Sequence, residues 1–452
     1  MRKLILPAII FIFSLPSLHA GDSSPLSLSI KDAISMAVKN NLTIKLSKAN
    51  TRRSRGMILQ SASALLPQVI GTMSENRTYK LNLAAMGFQP GLLPGIPGSL
   101  GPFNVFDARL HLVDNILNLS ATQSLRAAHA QNKMAIFGEN LAAEQVAAAA
   151  ALAYIEDLRA QKEIVASEAD ENLAIELLKL ASDKVNAGTA DPIDLARAKT
   201  SRSEAHLRVI TANLAAQKAD MNLKHIIGVP LGRSLVLTDS LKAVFGNSVE
   251  LNPSLKTALS KRLEIKIEEK SVEGAELTLS AAHLARVPVV SISGDYGLSG
   301  ITPTKDDIQT GNLGAGLSWR FFTGGQIRGQ AEDALSQIEK AKAQLKDIRV
   351  QVEQDVRTSV LELNAAEQEI QTSSQTLKLA GLELELAESR FKAGVGDNQE
   401  LVQAQDEMAN ARNLVVMALA SDNDAWVNLF LALGRAENFD FKKILGSEHG
   451  NN

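Results

Sequence analysis

The sequence predicts a mainly α fold with a smaller share of membrane-type β structure, arranged as an internal tandem repeat. Three observations carry that prediction. First, Lys184–Ala205 aligns with Arg390–Ala411 at a shift of 206 residues, with Ala187/Ala393, Gly188/Gly394, Asp191/Asp397, Leu195/Leu401, Ala198/Ala404 and Ala205/Ala411 identical. An earlier stretch aligns at a shift of 221, through Ala37/Ala258, Leu42/Leu263, Ile44/Ile265, Pro67/Pro288 and Val69/Val290. Copies this long mean pseudo-symmetry rather than a short-period solenoid. Second, Leu119–Ala187 and Gln326–Ala393 are free of proline and carry apolar residues at helical spacing. Third, between the early helices and these stretches the periodicity falls to two.

Taken in chain order, Met1–Ala20 has a basic start (Arg2, Lys3), an apolar run Leu4–Leu15 and a small-residue end, the layout of a secretory signal peptide. Removing its two basic residues takes the formal net charge from −3 to −5, which gives no reason to expect nucleic acid as a partner. No later segment approaches ~20 consecutive apolar residues, so no transmembrane helix is expected. The absence of cysteine excludes disulfides and thiolate metal sites. Aromatic residues make up only 4% of the chain, too sparse for ordinary globular cores of this length. Alanine, leucine, glutamine, lysine and glutamate dominate instead, as in long helices and coiled coils.

Each copy opens with helices, about Ala33–Ala64 and Ser254–Ala285, broken near Asn40-Asn41 and Lys261-Arg262. Strands follow. In Phe106–Leu112 the set Phe106, Ala108, Leu110, Leu112 alternates with Asp107, Arg109, His111. In Asn312–Phe321 the set Leu313, Ala315, Leu317, Trp319, Phe321 alternates with Asn312, Gly314, Gly316, Ser318, Arg320. Val69–Leu83 and Val287–Leu298 are further strands, opened by Pro67 and Pro288. An outer-membrane barrel and a soluble amphipathic sheet give the same alternation. The difference between the two repeat shifts, 15 residues, places an insertion in the first copy, for which the Gly/Pro-rich Ala84–Gly101 is the candidate loop.

The long helical patterns would each span roughly 100 Å, which requires rods in a bundle, coiled coil or tube. Leu141, Val146, Ala149, Leu152, Ile155, Leu158 and Ile164 mark the apolar positions of the first. Each rod ends at a glycine, Gly188 or Gly394, suited to a left-handed cap. Asp191 and Asp397 are placed to N-cap the return helices, about Ile193–Ile227 and Gln399–Leu433. The expected organisation is a signal peptide over 1–20 and a first unit over 21–228, with a strand pair about 67–113 and a helical hairpin at 119–228. A linker over 229–252, a second unit over 253–434 (strand pair about 287–322, hairpin 326–434) and a tail over 435–452 complete it.

One chain offers four strands, while the smallest transmembrane barrels need about eight. Open sheet edges in lipid would leave unsatisfied groups, each costing several kcal/mol. Strands that enter a membrane must therefore form a barrel shared among subunits, and three copies would supply twelve.

With these features the chain resembles the TolC family of outer-membrane efflux channels, from Leu28 to about Arg435. The matching residues are Ser29–Ile44 with its Asn40-Asn41, Leu66-Pro67 before the first strand, Gly316–Gly325 before the second rod, and both Gly-x5-Asp/Glu-Leu tips. The resemblance implies a homotrimer in the outer membrane, with a twelve-stranded β-barrel (four strands per chain) and a long periplasmic α-helical barrel. The implied partners are a periplasmic adaptor (membrane fusion) protein, an inner-membrane pump and outer-membrane lipid. It also implies passive export in a tripartite efflux or type I secretion system, with no catalytic residues, cofactor or metal.

Three departures stand out. Val113–Asn118 replaces the family's Pro-Leu/Ile-Phe-Asp-like lead into the first rod. The two aspartates of the family's entrance fall on Glu400 and Gln403, and its latching arginine falls on Gly396. The gate candidates are thus Asp194, Glu400, Asp397 and Gln403, although acids at these places also suit a helix N-terminus without any gate. Gly188, Asp191, Gly394 and Gly396 are the candidates for adaptor docking. Tyr79, Tyr296, Trp319 and Phe321 suit interfacial girdles. The histidines show no pair at ligand spacing. The alternative expectation is a periplasmic helical adaptor or coiled-coil scaffold without channel activity, which accounts for the rods but not for four amphipathic strands.

Overall fold

The proline-free stretches fold as two helices of equal length, 68 residues each, and everything else is arranged along them. The structure, a computed structural model, describes residues 25–86, 98–244, 249–304 and 307–441. The expected signal peptide, most of the Ala84–Gly101 insertion and the end of the tail lie outside those residues.

A short strand β1 (Leu26–Leu28) leads into α1 (Ile30–Asn40) and α2 (Leu42–Ser63). Ser29 and Asp32 close a capping box that starts α1. The break between the helices falls on Asn41, which N-caps α2 through Thr43 N–H at 2.8 Å. Next come β2 (Gln68–Thr78), the two-residue strands β3 (Leu81–Asn82) and β4 (Ser99–Leu100), and β5 (Phe103–Leu117). The first rod, α3 (Leu119–Asn186), turns into α4 (Pro192–Ile227). Then β6 (Leu235–Leu237) pairs in parallel with β1. The second half repeats the order with α5 (Leu251–Lys261), α6 (Leu263–Leu284), β7 (Val289–Gly300), β8 (Ile308–Ser318), the rod α7 (Gln326–Ala393) and the return helix α8 (Asn398–Ala432).

The core is built around the middle of α3. Between Val146 and Ala160 this helix is buried almost all round, because α1, α4, α8 and the β1–β6 pair surround it. Alanines dominate that stretch and let the helices approach closely. Ala149, expected on the apolar stripe, is exposed. Tyr154 is fully buried, and its hydroxyl donates to Leu28 C=O (2.8 Å) and lies 2.9 Å from the Asp239 carboxylate. Asp239 also accepts from Ile30 N–H at 2.8 Å. The span expected as a linker is therefore stitched into the core. So is the start of the tail, where Phe439 and Phe441 are buried and stack edge-on in a row with Phe430.

By length and composition α8 could cross a membrane, although polar and charged residues interrupt its apolar run. Its apolar side chains serve packing: Ala418, Ala425, Trp426, Val427 and Leu429 are buried beside the buried Asp422 and Asn423.

The long strands form one antiparallel sheet in the order β2-β5-β7-β8. β5 runs further than the alternation predicts, because Val113-Asp114-Asn115-Ile116 breaks the period while a register shift between Asp114 and Leu117 keeps the ladder going. β8 stops at Ser318, short of the expected Phe321. There the Trp319 indole donates to Arg286 C=O (3.0 Å), and Gly324 and Gly325, both at positive φ, turn the chain into α7.

Candidate functional site

The hairpin tips are shaped first by local chemistry. At the end of α3, Gly188 takes φ +70°, and Thr189 N–H reaches back to Lys184 C=O at 2.9 Å. At the end of α7, Gly394 takes φ +76°, and Val395 and Gly396 N–H both donate to Arg390 C=O at 3.1 Å. These are left-handed closures that only glycine makes without strain. Asp191 then caps α4 through Ile193 N–H (2.9 Å), and Asp397 caps α8 through Gln399 N–H (3.1 Å). A Cβ on Gly396 would sit 2.9 Å from the Arg390 Cβ, so the position that the resemblance pairs with a latching arginine is too close to the rod for any side chain.

The two tips lie against each other. Lys184 crosses from α3 to the end of α7, donating to Phe391 C=O (2.5 Å) and Lys392 C=O (3.2 Å), with its ammonium 4.9 Å from the Phe391 ring centroid. A cation at unsatisfied C-terminal carbonyls is favourable by charge and by hydrogen bonding. In return the Asn398 amide donates to Asp194 C=O at 3.0 Å, and Ser201 Oγ donates to Gln405 at 3.0 Å. Arg197 sits 3.8 Å from Asp194 and 3.6 Å from Asp397. Beneath these contacts Leu177, Phe391 and Leu401 form an apolar plug.

The structure thus groups all four gate candidates with residues the sequence did not single out. Asp194 is half-buried between the hairpins, whereas Glu400 is exposed and 3.5 Å from Arg390. Glu400, Gln403 and Glu407 line one exposed side of α8, with the Gln403 amide donating to Glu407 at 3.1 Å. Lys184, Arg197, Arg390 and Asn398 were not predicted. Lys184 and Arg390 are aligned by the 206-residue shift, and that alignment was the available signal.

The other end of the molecule is the sheet. Residues directly opposite each other in an antiparallel ladder share a face. The register therefore collects Val69, Met73, Leu110, Leu112, Val290, Ile292, Leu298, Leu313 and Leu317 on one face. The other carries Thr72, Ser74, Asn76, Asp107, Arg109, His111, Ser291, Ser293, Asp295, Thr310 and Asn312, with Ile70, Val105, Val113 and Ile308 among them. Met73 and Leu313 are 76% and 78% exposed, so the apolar face is uncovered. Trp319 and Phe321 stack at the helical end of the sheet with ring centroids 4.5 Å apart. Tyr79 lies just past the far end of β2. Tyr296 stands within β7, away from either end, and its hydroxyl donates to Gln309 at 3.0 Å.

Along the helical body, burial pushes the Asp422 carboxyl up to about 6, although Val244 N–H donates to it at 3.1 Å. Asp424 is pushed up to about 7 by burial and then by Glu156, against the pull of Arg159.

Residues 254–435 match the family model described as outer membrane efflux protein. The chain is 23% identical over 403 residues to the outer membrane efflux protein BepC of Brucella suis, covering 87% of this chain and 82% of that protein. Its fold matches VceC of Vibrio cholerae, an outer membrane protein, with a TM-score of 0.77 at 16% identity, over 90% of this chain and 96% of that one. It also matches the CmeC outer membrane channel of Campylobacter jejuni, with a TM-score of 0.78 at 17% identity, over 99% and 97%. Two matching helical hairpins, a four-stranded amphipathic sheet and these likenesses agree: the chain is similar in sequence and in fold to outer membrane efflux proteins.

Proposed function

We propose that the chain is the outer-membrane channel of a tripartite efflux or secretion system, a passive duct assembled from three copies. The observation that carries this is the sheet. It has one apolar and one polar face, and among the described residues of a single chain the outer edges of β2 and β8 have no strand beside them. In lipid those edges must be paired. The strands alternate in direction from β2 to β8, so β8 of one copy meets β2 of the next antiparallel, and a closed even-stranded barrel follows. Three copies give twelve strands, the number the family resemblance implies. The polar face then lines the bore and the apolar face meets lipid, with Trp319 and Phe321 at the inner interface and Tyr79 towards the outer one.

The rods extend the duct into the periplasm, and the tips are its entrance. Glu400 faces that entrance as a charged ring under threefold symmetry with the neutral Gln403 beside it, while Asp194 and Asp397 brace one hairpin against the other. A periplasmic adaptor docks around Gly188, Asp191, Gly394 and Gly396, and an inner-membrane pump supplies energy and cargo choice. Opening requires that adaptor contact favour the state in which the tip contacts are released.

The test is oligomeric mass together with single-channel recording of the detergent-purified protein in planar bilayers. A trimer with cation-preferring currents that weaken in preference on Glu400→Gln is the expected result. Unchanged preference would remove the Glu400 ring and keep the duct. A water-soluble protein without currents would overturn the channel and leave a periplasmic scaffold.

A further inference from the structure

The bore face of the sheet carries its charges in a single band. By register, Asp107 stands opposite Ser299, Arg109 opposite Gly297 and His111 opposite Asp295. Asp107, Arg109 and Asp295 are the only Asp, Glu, Lys or Arg side chains on the polar face of the four described strands. Glu75, Arg77 and Asp114 fall on the apolar face, towards the two ends of the sheet. The three bore-facing groups are joined. Arg109 Nε donates to Asp107 at 2.6 Å, Nη2 donates to the other oxygen of the same carboxylate, and Nη1 donates to Asp295 at 2.8 Å. Space for this is made by Gly297, where a Cβ would lie 2.4 Å from the Arg109 Cβ. Without a side chain there, the guanidinium lies across β7 to reach Asp295.

We propose that this triad is a fixed anionic belt that sets the cation preference of the barrel, a selectivity element separate from the hairpin tips. The proposal rests on the channel reading above. Two carboxylates against one guanidinium leave one net negative charge per chain. Arg109 directs one N–H from each of its three nitrogens at the two carboxylates, so it positions them and its own charge is paired. A bore lined by one sign of excess charge between low-dielectric walls concentrates counter-ions. The belt also spans β5 and β7, the junction between the two halves of the chain, so a change on either strand alters the same charge.

The test is the reversal potential across a KCl gradient for channels in planar bilayers. Asp107→Asn and Asp295→Asn each neutralise the belt and are expected to lower the cation-to-anion permeability ratio about twofold or more, while Arg109→Gln raises it. The double change Asp107→Asn/Arg109→Gln restores one net negative charge and should restore the wild-type ratio. At 1 M salt, where screening acts over about 3 Å, the differences should shrink. A double variant that behaves like Arg109→Gln, or asparagine variants that conduct with the wild-type ratio, overturns the belt. The latter result stands even where Arg109→Gln fails to assemble, and makes the triad a brace only. Wild-type protein without currents overturns the channel reading itself, a distinguishable failure.

Discussion

The two halves of the chain use different side chains at equivalent places to satisfy the same backbone needs. At the junction of the opening helices, Asn40 and Asn41 donate to Ile227 C=O (3.3 Å) and Ile226 C=O (3.0 Å), the last carbonyls of α4. The 221-residue shift takes Asn41 to Arg262, whose guanidinium donates to Ala432 C=O at 3.3 Å and also pairs with Glu264 and Asp355. At the tips, the 206-residue shift takes Lys184 to Arg390. Lys184 crosses to the neighbouring hairpin, while Arg390 stays beside Glu400 on its own. A helix end needs a donor or a cation, and the fold accepts whichever residue type supplies it. Neutral amides do this for α4, whereas a buried charge does it for α8 and so brings two carboxylates with it.

The largest break in that equivalence should come at the junction. Replacing Arg262, which is 10% exposed, leaves Glu264 and Asp355 without their partner. Arg262→Met is expected to destabilise by about 2–3 kcal/mol, against about 1 kcal/mol for Asn41→Ala, with far-UV circular dichroism during thermal unfolding as the readout. Equal losses would mean the ion pairs add nothing to the capping.

The return helices differ next. Asp422 on α8 aligns with Ala216 on α4, and both are buried. A carboxyl whose folded pKa, about 6, lies above its ordinary value binds its proton more tightly when folded. Stability is then fullest below the unfolded pKa of about 4 and is lost as pH rises through about 6. The contribution is on the order of 2–3 kcal/mol. Asp422→Asn should therefore flatten the stability profile between those values and stabilise the helical body at neutral pH. A profile unchanged by the substitution would contradict this.

At the tips, Gly396 aligns with Ala190. Gly396→Ala drives a Cβ into Arg390 and should cost about 1–2 kcal/mol, whereas Ala190→Gly at the equivalent turn should be close to neutral. Chemical denaturation of the pair of variants compares them directly. The smallest effect separates the two basic residues. Lys184→Met is expected to cost about 1 kcal/mol and to speed proteolysis near Lys392–Gly396. Arg390→Met, at an exposed pair, should cost no more than about 0.5 kcal/mol and leave the first hairpin unaffected. If both variants loosen the second tip alike, the crossing contact has no special role.

Much of this architecture is legible residue by residue. The bounds of α3 and α7, the breaks at Asn41 and Arg262, the caps at Asp191 and Asp397 and the turns at Gly188 and Gly394 all appear where they were expected. Each depends on a few neighbouring residues: a missing proline, a side-chain oxygen two positions before a free N–H, a glycine able to take positive φ. The extent of β5 was not legible, because its alternation fails at Asp114-Asn115 while pairing with β7 continues.

The sequence by itself determined the helical periods, their endings, the two-faced strands and the resemblance to a channel family, since all are patterns local to one segment. Only the tertiary structure decided that Lys184 leaves its own hairpin, that Asp422 is buried, that Asp239 joins the Tyr154 core, and that Arg109 reaches over Gly297 to Asp295. These contacts join residues roughly 85 to 210 positions apart. Their partners are set by which helices and strands lie side by side, and a pattern read along one segment carries no information about its neighbours.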